Sequence, residues 1–107
     1  MSIVSYPSIC IPRTLYNFDS NIIKNSFEII FGIGSIQRVD IIVQQNSTPI
    51  FCRVFIHFNF WPDDINSTMI RQKLIDGQTI KVVYDNPWFW KCSASRFSKP
   101  DNGYKLN

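Results

Sequence analysis

The eight residues 51–58, FCRVFIHF, constrain this chain more than any other stretch. Bulky residues alternate there around one Arg and one His, which is a strand pattern. Successive side chains of a strand point to opposite faces. Val54, Ile56 and Phe58 therefore share one side, and Arg53, Phe55 and His57 the other. The first side is wholly apolar and demands a core. The second sets a cation, an aromatic ring and an imidazole in a row. Left open, such a row suits a single-stranded nucleic acid, whose bases stack on rings and whose phosphates take positive charge. An ordinary central strand with both faces covered has the same pattern, so the rest of the chain must decide.

The flanking segments supply partners for that strand. Residues 8–13, SICIPR, predict a short strand that Pro12 stops. Asp19 or Ser20 caps a helix with an apolar stripe of Ile22, Ile23, Phe27, Ile30 and Phe31, and Gly32 and Gly34 end it. The β-branched run 36–43 is a second strand, the polar 44–49 a loop, and 51–60 the third strand. Asp63 or Asp64 caps a second helix with the stripe Ile65, Met69, Ile70 and Leu74, and Asp76-Gly77 is its exit. Residues 79–84 (TIKVVY) and 88–96 (WFWKCSASR) are strands on either side of a turn at Asp85-Asn86-Pro87.

The order is strand, helix, strand, strand, helix, strand, with one extra hairpin strand before the last. Two interlocked split β-α-β units of this order predict an α+β fold, a ferredoxin-like βαββαβ sandwich. Its four-stranded antiparallel sheet has the order 4-1-3-2, with the two helices on one face and the other face open. The expected core is Ile9, Ile11, Ile23, Phe27, Val54, Ile56, Phe58, Ile70, Leu74, Trp90 and Ala94. Burying an unpaired Lys is costly. Lys91, Phe89 and Ser93 are therefore expected outside, and Trp88 and Trp90 against the helices. With 107 residues, the chain is expected to form one domain over 1–97 and a polar C-terminal tail over 98–107.

This element order, with FCRVFIHF on the third strand, resembles the RNA recognition motif (RRM) family across residues 8–96. Phe55, Ile56 and Phe58 match the last half of the family's strand-three motif. Arg53 stands where its first stacking aromatic belongs, Phe51 replaces the basic residue, and Cys52 replaces the Gly. On strand one, Cys10 of ICIPRT occupies the position of the other aromatic. Phe27 and the run 34–41, GSIQRVDI, also fit the family. The segments IPR, RVFIHF and DNPWFWK are similar to small RRM-like proteins of large eukaryotic DNA viruses. The resemblance implies RNA binding on the open sheet face with a degenerate aromatic platform. If the chain is viral, it also implies a place in the virion or viral factory.

The expected RNA-binding residues are Arg53, Phe55, His57, Arg38, Phe89, Lys91, Ser93 and Arg96. Phe55 stacks a base, Arg53 stacks or meets a phosphate, and the others supply charge and hydrogen bonds. The net charge of +3 permits this without demanding it. The expected partner is single-stranded RNA or DNA, or another protein. The alternative is a protein–protein interaction module that keeps the RRM-like fold and has lost RNA binding. No enzyme chemistry is expected, because one His and one Glu give no triad that spacing identifies. Asp63-Asp64 serves as a cap, and Gly32-x-Gly34 lacks the rest of a dinucleotide loop. No cofactor or metal is expected, since Cys10, Cys52 and Cys92 have neither zinc spacing nor an even count. Reduced thiols suit an intracellular protein, cytoplasmic or nuclear. No signal peptide is expected, and no apolar run approaches the roughly 20 residues of a membrane span.

Overall fold

Asp19 accepts a hydrogen bond from the Asn21 N–H at 2.6 Å and starts helix α1, Ser20–Phe31. Gly32 and Gly34 end it with φ of 104° and 85°, conformations that favour glycine. The computed structural model describes residues 3–15, 18–46 and 48–95. Within them follow strands β1 (Ile9–Leu15), β2 (Ile36–Gln44) and β3 (Phe51–Phe58), helix α2 (Ile65–Ile75), and strands β4 (Ile80–Asp85) and β5 (Trp88–Ala94). The expected tail, 98–107, lies outside the described residues.

All strand pairs are antiparallel, and the sheet has five strands in the order β2-β3-β1-β5-β4. The four expected strands keep the expected neighbours. The hairpin strand β4 joins the sheet as a fifth member, pairing along β5 at the outer edge. The strand count of four is thereby corrected to five. Pro12 does not stop β1, because the strand runs on to Leu15 through an irregularity between Ile11 and Thr14. A bulge is one of the few sheet positions that tolerate a residue without an N–H.

One core lies between the helices and one sheet face. Ile23, Phe27 and Phe31 of α1 and Leu74 of α2 meet Ile9, Ile11, Val54, Ile56, Phe58, Trp90 and Cys92 there. Both helices therefore cover the same side. Ile70 and Ala94 pack against the cluster, half-buried. Rings close the core at both ends. Phe58 stacks on Trp61 at 4.0 Å, with Phe31 edge-on to both. At the other end Trp90 stacks between Tyr84 at 4.3 Å and Phe27 at 6.0 Å.

Two expected stripes are corrected. In α2 the inward face is Ser67, Ile70 and Leu74, at i, i+3 and i+7. That spacing puts Ile65 and Met69 on the opposite side, and both are exposed. On α1, Ile22 and Ile30 sit on the flanks of the buried stripe and stay exposed. Trp88 is also corrected, being 64% exposed rather than packed on the helices. The register shift between Val83 and Asp85 lets Tyr84 take the place beside Trp90. Trp88 is left at the hairpin end.

Candidate functional site

Cross-strand pairs share a face, so the register lays out the side away from the helices. Arg38 pairs with His57, Asp40 with Phe55, and Ile42 with Arg53. Phe55 pairs in turn with Cys10, and Cys10 with Ser93. On the hairpin, Lys81 lies opposite Lys91 and Val83 opposite Phe89. The register thus brings Arg53, Phe55, His57, Arg38, Phe89, Lys91 and Ser93 to one face. Arg96 lies outside the described residues.

Their accessibility divides them. Arg53 and Lys91 are exposed, and Phe89 is 44% exposed. Arg38 and Ser93 are half-buried. Phe55 is only 3% exposed and His57 is fully buried, so the expectation that both present open surfaces is corrected. Phe55 sits mid-sheet between Asp40 and Cys10, where neighbours on both sides leave little of its ring to a base. It borders a shallow cavity of about 370 Å³ together with Cys10, Pro12, Arg53, Ser93 and Ser95.

His57 is held at both nitrogens. Nε2 lies 3.1 Å from Asp40 Oδ2 and Nδ1 lies 2.7 Å from Ser8 Oγ. An ionised carboxylate only accepts. In the neutral ring, Nε2–H therefore donates to Asp40, and Nδ1 accepts from the Ser8 hydroxyl. Arg38 Nε donates to the same Asp40 oxygen at 3.2 Å. Ser, His and Asp thus form a hydrogen-bonded chain. Ser8 is only 5% exposed, however, and lines neither this cavity nor the cleft described below. The arrangement satisfies buried polar groups rather than presenting a nucleophile.

Burial pushes the Cys10 thiol up, with the Arg53 guanidinium partly opposing it. Burial raises Cys52 as well, and burial together with the nearby Cys10 carries Cys92 up to about 12. Near neutral pH these thiols stay protonated, which disfavours nucleophilic or metal-binding roles. Among the described residues no group of three or more His, Cys, Asp or Glu side chains is placed to hold a metal, and no helix is long and apolar enough to cross a membrane.

Sequence reasoning missed four residues of this surface. The Arg13 guanidinium lies 4.6 Å from the Phe51 ring centre, and Lys81 Nζ lies 4.8 Å from that of Phe89. Trp88, exposed, lines a cleft with Phe51 and Phe89. Counting back from the Asn86-Pro87 turn pairs Lys81 with Cys92, and only the register shift between Val83 and Asp85 sets Lys81 opposite Lys91. Nothing in the sequence announces the bulge that carries β1 past Pro12 to Arg13. No protein-family model, no curated protein and no solved structure matches this chain.

Proposed function

We propose that the chain is an RRM-like, ferredoxin-like module that binds single-stranded RNA, or DNA, through the sheet face away from its helices. One observation carries this reading. Arg13, Arg53, Lys81 and Lys91 are all exposed at this side of the sheet, and two of these cations already lie over rings. Cations beside rings are what a backbone with splayed bases requires. The carboxylate of the central rows, Asp40, is engaged by Arg38 and His57 and does not oppose a phosphate. The contacts fall to Arg53, Lys91 and Phe89, with Arg38 and Ser93 at the margin. Phe55 and His57 support the surface from beneath. The role is non-catalytic and the proposed compartment intracellular.

The test is an NMR titration with a mixed-sequence single-stranded RNA of about ten nucleotides at low salt, a length within one site of this kind. Resonances of β3 and β5 on this face should move. Arg53→Ala and Lys91→Ala should each weaken binding and flatten its salt dependence, because each removes a charge near phosphate. If no resonance of this face moves at millimolar RNA, the reading fails. A protein-interaction role would then take its place, favoured by the exposed Ile22, Ile29 and Ile33 on and just after α1.

A further inference from the structure

The sheet is split between β1 and β5. The two strands pair only at Ile9 with Ala94 and Cys10 with Ser93, and among the described residues they pair no further. Pro12 has no N–H for a ladder, and it lies in the irregularity between Ile11 and Thr14. Across the gap the Trp90 indole N–H donates to Thr14 Oγ1 at 3.1 Å. Beyond this bond opens a cleft of about 550 Å³. Its walls include Leu15, Ile50 and Phe51 on one side and Trp88 and Phe89 on the other.

Leu15, Ile50, Trp88 and Phe89 are all exposed, so these apolar groups meet water rather than one another. Among the described residues one charged side chain lines the cleft, Arg13, and no carboxylate does. A second cation, Lys81, lies over Phe89 at the cleft's edge. The volume suits a small ring system. Aromatic walls accept the flat face of a base whatever its identity, and the flanking cations match a phosphate on either side of it.

We propose that this cleft holds an unstacked nucleobase of the bound single strand, with Trp88 and Phe51 as stacking partners and Arg13 on the adjoining phosphate. The proposal rests on the RNA-binding reading and deepens it. The rings absent from the centre of the sheet are replaced by rings at the gap, and the strand runs from Arg53 and Lys91 over Pro12 into the cleft.

The protein is labelled with 5-fluorotryptophan, and Trp88→Phe and Trp61→Phe together assign the three indole signals. The same ten-nucleotide RNA is then titrated at low salt. The Trp88 signal should shift most and that of Trp90, which also lines the cleft, less, while that of the buried Trp61 stays nearly still. Trp88→Ala should weaken binding roughly fivefold to a hundredfold. Trp88 is exposed, and an unchanged Trp61 signal, from the far end of the core, reports that the variant is folded. Leu15→Glu places a negative charge in the cleft and should weaken binding by at least as much. Three results would overturn the proposal, each differently. If RNA moves Arg53 and Lys91 but not Trp88, and both cleft variants bind as the parent does, the cleft is not the base site and the RNA-binding reading stands. If RNA moves none of them, both fall. A Trp88 shift produced by an extended apolar peptide and not by RNA would make the cleft a peptide groove and sink the proposal.

Discussion

Replacing His57 with Ala separates a structural role from a ligand-binding one. The fully buried imidazole accepts from the Ser8 hydroxyl and donates to Asp40. Truncation strands the buried Ser8 hydroxyl, at a cost of about 1–3 kcal/mol. Asp40 keeps Arg38 and some solvent contact, so its loss is small. The lost ring leaves a void of roughly 60 Å³, which at about 24 cal/mol per Å³ adds about 1.5 kcal/mol. The total is about 2.5–4.5 kcal/mol, to be read as a lower urea midpoint at unchanged m-value. For a domain of this size that corresponds to a fall in Tm of roughly 10–30 °C. Ser8→Ala alone strands Nδ1 in the same way. In the double variant neither orphan remains, so the two costs should fall short of their sum by about 1–2 kcal/mol. A His57→Ala loss below about 1 kcal/mol, or strict additivity with Ser8→Ala, would refute the buried chain. Loss of RNA affinity without loss of stability would return His57 to the open surface.

Phe27→Ala, which removes a fully buried ring stacked near Trp90, should cost about 3–5 kcal/mol in a denaturant titration, and a loss under about 1 kcal/mol would mean the core is misplaced. Iodide should quench Trp88 readily while Trp61 and Trp90 emit blue-shifted and shielded, so a single uniformly quenched component would contradict the assignment. The Cys92 thiol holds its proton in the folded state well above the ordinary value of 9.0. Its contribution is therefore complete below about pH 9 and is lost as pH climbs toward about 12, since only the unfolded chain releases the proton there. Cys92→Ala should flatten that alkaline decline, which urea titrations across the range would measure.

Strand and helix positions were legible because local patterns carry them. Alternation gave β3, the caps gave both helix starts, and Asn86-Pro87 gave the hairpin. The placement of Phe89 and Lys91 followed from the cost of burying a lysine. What escaped was set by distant partners. Ser8 and Asp40 lie far from His57 in sequence, so its burial has no local sign. Phe55 reads as an open ring only if its neighbours are ignored. Trp88 sits at the register shift beside the hairpin turn, where alternation no longer decides its environment. In α2, an inward Ser67 hides the true face behind the more apolar Ile65 and Met69.

The gap beside Pro12 also divides the molecule in time. The β4–β5 hairpin is tied to β1 by two ladder pairs, a Ser95 N–H on the Ser8 carbonyl and the Trp90–Thr14 hydrogen bond, and to the core by Val82, Trp90 and Cys92. The β2-β3-β1 ribbon is paired along its length. Such a seam lets the hairpin open as its own cooperative unit at a free energy below that of global unfolding. In native-state hydrogen exchange, the amides of β4 and of the Trp88 end of β5 should exchange together and early, while the centre of β3 waits for the whole domain to unfold. A chain that must admit a guest between two strands would gain from a sheet that is already parted along that line.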